Sequence, residues 1–466
     1  MAGLFRPTGA DQCRLLDPGA GIGSLASAFL ERCRPGDLSF SAIAVTAFEL
    51  DSLLHKELDR SLASYRARAT LTYEIVGGDF IEHAINRVQF GQADFTHAIL
   101  NPPYKKIGSD SRYRLLLRGV GIETVNLYSA FVALSVALMA HGGQVVAIIP
   151  RSFCNGPYYR PFRDFLLKHA AIRHLHLFDS RNKAFKDDGV LQENIIIAFE
   201  RGATQDDITV STSTDDSFGD LASDSHPFDR IVLPDDPARF IHVPMTTEPN
   251  AIELSAAVHY SLGEVGASVS TGPVVDFRLK EYLRNMPEQG TVPLLYPAHF
   301  RDMGTEWPKP ELKKPNAIQR NAETEKWLYP NGFYCVVRRF SAKEEKRRII
   351  AAVVRPSAFG GVDALGFENH LNVFHECKHG LPEALAQGLA LFLSTTAVDE
   401  NFRRFNGHTQ VNATDLKLMK YPSRAALIAL GEWGIAKDIA PTQAMIDDQF
   451  DRYCTLQPGR PHAAGE

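Results

Sequence analysis

Between residue 14 and about residue 200, short apolar runs alternate with stretches patterned at the helical period. RLLDPGAG, FSAIAVTAFELD, TLTYEIVGGD, THAILNPPY, GGQVVAIIP, IRHLHLF and ENIIIAFE read as seven strands. Most are continuously apolar or β-branched, as expected of strands covered by helices on both faces. Strand and helix alternating in this way predict an α/β fold with a doubly wound sheet. The last two runs lack a long helix between them and are expected to pair antiparallel at the sheet end. LYSAFVALSVALMA, about 14 residues, reads as a buried helix. After residue 200 the pattern changes. Residues 202–250 hold ten Asp/Glu against two Arg, whereas 301–355 hold thirteen Lys/Arg against seven Asp/Glu. The expected organisation is a first domain at 1–201, an acidic boundary segment at 202–250, a second, mixed α/β domain at 251–455 and a disordered tail at 456–466.

The bulk properties narrow the class. A chain of 466 residues is long enough for two ordinary domains, and 44% hydrophobic with 23% charged residues describes a globular protein. No apolar run reaches the roughly 18–20 residues needed to cross a bilayer, and the start lacks the pattern of a secretory signal. Six scattered cysteines without a C-x-x-C pair indicate reduced thiols and a cytoplasmic setting. A net charge of −5 argues against a wholly basic nucleic-acid binder but leaves room for a local basic patch.

Candidate chemistry collects at the strand ends. Asp17 closes the first run and is followed by Gly19, Ala20, Gly21 and Gly23. The spacing is G-x-G-x-G, not the dinucleotide G-x-G-x-x-G, so taken alone the loop is either a tight packing turn or a ligand cradle. The second strand ends in Glu49, an acid placed to accept the hydroxyls of a ribose. The third ends in GGDF, with Asp79 placed to accept from an adenine amino group and Phe80 against its ring. The fourth ends in Asn101-Pro102-Pro103-Tyr104. Proline cannot extend a strand and holds the preceding residue extended, so this loop rigidly presents one amide, two carbonyls and one ring.

These motifs strongly resemble those of the class I, S-adenosylmethionine-dependent N6-adenine DNA methyltransferases of bacterial restriction–modification systems. The order of glycine loop, NPPY and a following recognition domain is similar to their gamma group. NLYSAFVALSVALM, PRSFCNGPYYRPFR, SRNKAFKDDGVLQENIIIAF, FENHLNVFH and NGHTQVNATDL resemble the branch containing the PstI and BsuBI methylases. The resemblance implies a Rossmann-like catalytic domain and S-adenosylmethionine bound by Asp17, Gly19, Ala20, Gly21, Gly23, Glu49, Asp79, Phe80 and Asn101. It implies catalysis at Asn101, Pro102, Pro103 and Tyr104, with Phe185 on the opposite face of a flipped adenine. Asn101 and Pro102 oxygens would each accept one amino hydrogen, and Tyr104 would stack on the base. Gamma-group chains usually carry a leading segment whose Thr-Pro pair closes over the cofactor, a pattern that MAGLFRPTGADQC does not show. One alternative is therefore a truncated, inactive DNA-binding homologue; the other, because NPPY loops also grip planar amides, is a protein or RNA methyltransferase acting on a planar amide or amino group.

In the second domain, Lys313, Lys314, Arg338, Arg339, Lys346, Arg347 and Arg348 are expected to meet DNA phosphates, interleaved with aromatic residues. His408, Gln410 and Asn412 are expected in a base-reading loop, with helix capping as the alternative for Asn412. HECKH offers His375, Cys377 and His379 as zinc ligands only if it is a strand, and without a fourth ligand of suitable spacing no metal is expected. Asp302 with Glu311 and Lys313 imitates a nuclease set, but prolines 308, 310 and 315 disfavour the sheet it needs. The expected partners are double-stranded DNA, with CTGCAG as a site suggested by the resemblance alone, and a cognate endonuclease acting on the same site without a stable complex.

Overall fold

The seven apolar runs of the first half form β1 (Gln12–Asp17), β2 (Ala42–Phe48), β3 (Leu71–Val76), β4 (Phe95–Leu100), β5 (Met139–Pro150), β6 (Ala170–Phe178) and β7 (Asn194–Arg201). The structure is a computed structural model that describes residues 1–466 except 67–69, 179–192, 216, 235, 244–251, 253–254, 256, 342–344, 406–409, 438–440 and 456–466. Two further strands, β8 (Ile208–Ser213) and β9 (Ala222–His226), join them in a nine-stranded sheet of order β3-β2-β1-β4-β5-β7-β6-β8-β9. Three expectations are thereby corrected. The sheet has nine strands and not seven. β6 and β7 are antiparallel as expected, but β8 and β9 continue the sheet beyond them. Residues 202–250 are largely part of the first unit, because the chain divides at Met1–Thr247 and Glu248–Glu466.

Helices α1 (Ser24–Arg32), α2 (His55–Ala63), α3 (Phe80–Gln89), α4 (Arg112–Gly119), α5 (Leu127–Leu138) and α6 (Arg160–His169) accompany the strands. Successive side chains of a strand point to opposite faces, so neighbours divide between two cores. Leu16, Ala98, Leu100 and Val145 pack with α3 and α5 residues such as Ile81 and Val132. Leu15, Ile43, Val45, Ile99 and Val146 pack with Phe29 of α1 and Leu58 of α2. Burial on both faces explains the unbroken apolar runs. α5 is buried along nearly its whole length, which explains why its sequence shows no polar stripe.

The second unit is mixed α/β. One antiparallel sheet has the order Ser268–Thr271, Leu371–His375, Tyr334–Arg338 and Ala351–Val354. A five-stranded sheet contains Thr291–Leu295 between Ala317–Gln319 and Ala364–Phe367. Helices Glu383–Leu393 and Arg424–Ile435 cross where a Cβ on Gly388 would lie 1.8 Å from the Leu427 carbonyl. Among the described residues, no helix is long and apolar enough to cross a membrane.

Candidate active site at the carboxyl ends of the strands

β3, β2, β1 and β4 run parallel and end level: Asp17 pairs with Ala47, Phe48 with Val76, and Leu16 with Ala98. The residues following each strand therefore gather on one edge. Strand order reverses between β1 and β4, and such a switch point leaves a crevice at the carboxyl ends.

Asp17 is 0% exposed, and among the described residues neither of its carboxylate oxygens has a partner in full hydrogen-bond geometry. Burial pushes its pKa up to about 7. The nearby Gly19 and Ala26 amides, outside full hydrogen-bond geometry, offset part of that rise, and the Glu49 charge adds to it. A buried carboxylate without a donor is costly unless a ligand supplies one. Gly21 and Gly23 have φ of +56° and +87°, a region that L side chains rarely adopt, and a Cβ at Gly23 would meet Leu58 at 2.9 Å. The loop is tied to β2: Ala20 N–H donates to the Phe48 carbonyl at 2.9 Å and Gly21 N–H to Glu49 Oε2 at 2.8 Å. Glu49 Oε1 accepts from Asp51 N–H at 2.8 Å. Each Glu49 oxygen thus carries one amide and retains a lone pair.

Beside these acids, Leu50 is 73% exposed and Ile22 is 50% exposed. Sequence reasoning missed both. An apolar residue between the acids of ELD was the available signal.

Asp79 is the N-cap of α3, its Oδ1 accepting from Glu82 N–H at 3.2 Å. Its Oδ2 accepts from the Tyr113 hydroxyl of α4, a partner that sequence spacing could not show. Phe80 departs from expectation. It is 3% exposed, edge-on to Phe48 at 5.2 Å and tilted on Phe131 at 4.9 Å, so most of its ring belongs to the core.

In the NPPY loop, Asn101 and Pro103 are exposed, Pro102 is buried and Tyr104 is half-buried. The Tyr104 hydroxyl lies 3.1 Å from both Asn101 Oδ1 and the Ile148 carbonyl of β5, and its ring meets Tyr128 edge-on at 6.1 Å. Tyr104 therefore braces the loop as well as lining it. At the neighbouring strand ends, Arg151 and Glu193 form a nearly fully buried ion pair at 2.9 Å. Phe185 lies outside the described residues.

The second unit sorts its candidates differently. Lys313, Lys314 and Lys346 are exposed, with Lys314 paired to Asp276 at 2.7 Å. Arg338 pairs with Glu345. Arg339 donates to Gln410 Oε1 at 3.2 Å and to the Asn369 carbonyl at 3.3 Å, bringing two distant expectations together. Arg347 donates to the Thr395 carbonyl at 3.1 Å. Arg348 is a correction. It is 2% exposed, donates to Ser341 Oγ at 3.2 Å, and its amide caps onto Asp399, so it cannot reach a phosphate. Asn412 is the N-cap of helix Ala413–Leu418, its N–H donating to Asp415 Oδ2 at 3.1 Å. His408 lies outside the described residues.

HECKH is not a continuous strand: Cys377 and Lys378 have positive φ, and His375 is engaged by Ser270 Oγ at 2.9 Å and by Lys378 N–H at 3.1 Å. Among the described residues, no cluster of three or more His, Cys, Asp or Glu side chains is arranged to hold a metal ion.

Residues 49–185 match the model of the Eco57I restriction-modification methylase family. The chain is 52% identical to the type II methyltransferase M.BsuBI of Bacillus subtilis, over 97% of this chain and 91% of that protein. It is 41% identical to the type II methyltransferase M.PstI of Providencia stuartii, over 92% of this chain and 85% of that protein. The fold is similar to that of the type IIL restriction-modification enzyme MmeI, solved in complex with DNA. That likeness has a TM-score of 0.50 and 11% identity, covering 96% of this chain and 71% of that one. With the glycine loop, acids and NPPY loop gathered on one sheet edge, these relationships place the chain in the family of type II methyltransferases of restriction–modification systems.

Proposed function

We propose that the chain transfers the methyl group of S-adenosylmethionine to N6 of a flipped adenine in duplex DNA, in the cytoplasm, as the modification half of a restriction–modification system. A cognate endonuclease would act on the same site without a stable complex. The observation that carries the reading is the convergence of Asp17, Glu49, Asp79 and Asn101 at neighbouring strand ends.

The residues fit the cofactor. The two left-handed glycines allow close backbone approach, and the buried Asp17 carboxylate, without a fully formed hydrogen bond among the described residues, can accept one from the cofactor. Glu49 keeps lone pairs for ribose hydroxyls, Asp79 accepts from the adenine amino group, and Leu50 and Ile22 offer apolar surface to the ring. S-adenosylmethionine would supply an electrophilic sulfonium methyl. The chain's part is to prepare the nucleophile. Adenine N6 is weak because its lone pair is delocalised into the ring. Asn101 Oδ1 and the Pro102 carbonyl each accept one amino hydrogen, which draws the nitrogen toward tetrahedral geometry and frees the lone pair. Preorganised acceptors act without reorganisation at the moment of reaction. The Tyr104 hydroxyl at 3.1 Å holds the Asn101 oxygen in place while its ring takes one face of the base, with Phe185 assigned the other.

The unit Glu248–Glu466 is assigned target recognition, with exposed Lys313, Lys314 and Lys346 near phosphates and the Arg339–Gln410 pair near base edges. Incubation of the purified chain with plasmid DNA and S-adenosylmethionine, followed by base-resolution mapping, tests the reading. N6-methyladenine at one recurrent motif is expected. No methylated base, or methylated cytosine alone, would reject it.

A further inference from the structure

α4 lies between the NPPY loop and α5, in a segment closed at its base by Ile107 N–H on the Val125 carbonyl and Leu127 N–H on the Lys105 carbonyl, both at 2.8 Å. Its position is set by Ser111, which caps it, by Arg112 on Glu82 at 3.1 Å, and by Arg114 and Arg118 on Glu123. This scaffold delivers one side chain to the other strand end: the Tyr113 hydroxyl donates to Asp79 Oδ2, while Asp79 Oδ1 caps α3. The carboxylate is thereby held at both oxygens, and its rotation is removed.

We infer that Tyr113 is a positioning residue for the cofactor's purine, fixing Asp79 as an acceptor for a 6-amino group and against a 6-oxo group. The inference rests on the assignment of Asp79 to the adenine of S-adenosylmethionine. A carboxylate free to rotate can turn an oxygen away from a 6-oxo group or admit a bridging water. One pinned at both oxygens keeps its remaining lone pairs directed, and an acceptor facing an acceptor is left desolvated and unpaired. The phenol stays a donor throughout the physiological range, because the bond to Asp79, followed by desolvation, raises its pKa to about 12.

Calorimetric titration of the full chain with S-adenosylhomocysteine and with its 6-oxo counterpart, S-inosylhomocysteine, tests this without turnover. The wild type is expected to prefer the amino compound. Tyr113→Phe, which keeps the ring, should cut that preference by about ten- to a hundredfold, the equivalent of one hydrogen bond to a charged group. The change should be asymmetric: the freed carboxylate binds the amino compound more weakly and tolerates the 6-oxo compound better. Equal weakening of both ligands, or no change in either, would overturn the positioning role while leaving the cofactor reading intact if Asp79→Ala still abolishes the preference. A wild type without preference, or an Asp79→Ala variant that retains it, would overturn the Asp79 assignment and the inference with it. Thermal melts of Tyr113→Phe separate misfolding from the effect, since a folded variant must show the asymmetric change.

Discussion

Asn101 and Asp17 lie at the ends of neighbouring strands and are assigned different work, and each has its own signature. Asn101 is exposed at the end of β4 and is assigned to the substrate amino group. Asn101→Ala should slow single-turnover methylation by about a hundred- to a thousandfold, the usual cost of one preorganised acceptor of about 3–4 kcal/mol. Cofactor affinity should hardly move, and a rate within tenfold of wild type would remove the assignment. Asp17 carries a pH signature. Its pKa in the folded chain is about 7, above the ordinary 3.8, so between those values the folded state holds a proton that the unfolded state has released. Its contribution to stability is therefore fully present below about pH 4 and is lost as pH rises through about 7. Asp17→Asn, which removes that titration, should gain stability relative to wild type as the pH is raised from 5 to 8. Melting curves of the two proteins across that range give the comparison, and a constant difference would contradict the buried charge. The Asp17, Glu49, Asp79 and Asn101 positions were legible because each follows an apolar run. Phe80 and Tyr113 were not, since contact with Phe48, Phe131 or Asp79 depends on how α3 and α4 are laid against the sheet.

At the level of elements, the strands covered on both faces announced themselves, and the edge strands did not. β8 alternates buried Ile208 and Val210 with Thr and Ser, a period-two signal hidden by the acidic residues around it. β9 is almost wholly exposed and carries Asp224, the kind of charge that discourages edge-to-edge pairing. A charge count therefore mistook the margin of a sheet for a linker. The helix pair of the second unit makes a sharper prediction. Gly388→Ala would gain about 1 kcal/mol of intrinsic helix propensity if the site were open. The Cβ would instead lie 1.8 Å from the Leu427 carbonyl, and a Cβ added at Gly431 would lie equally close to the Ala384 carbonyl. Backbone at that distance cannot yield, so overpacking should win and the variant should lose about 3 kcal/mol or more. Denaturant unfolding reads the difference, and a stabilised variant would show that these helices do not pack this closely.

For the whole molecule, a net charge of −5 must coexist with the proposed binding to a polyanion. Local counterion release is the physical route, and only exposed cations can take part. The burial of Arg348 and the side-chain bonds of Arg338 and Arg347 leave Lys313 and Lys346 as the better test. Replacing both with Ala should weaken specific and nonspecific DNA alike. The slope of log affinity against log salt should become shallower by about one unit per lost phosphate contact. Gln410→Ala should behave in the opposite way, changing preference among sites with little change in slope. Binding isotherms at several salt concentrations distinguish these, and unchanged slopes in the lysine variant would put the duplex elsewhere.

By itself the sequence determined the α/β class, the first seven strands of the sheet and the four loops to which the chemistry is assigned. It could do so because burial on both faces and proline or glycine geometry are local demands, written in consecutive residues. The tertiary structure alone decided the company of each side chain. It showed that Arg348 is a core residue in a run of cations, that the acidic segment finishes a sheet, and that Tyr113 and Asp79, 34 residues apart, form one unit. Those outcomes depend on which surfaces meet when helices pack on strands, and residues distant in sequence carry no local record of that meeting.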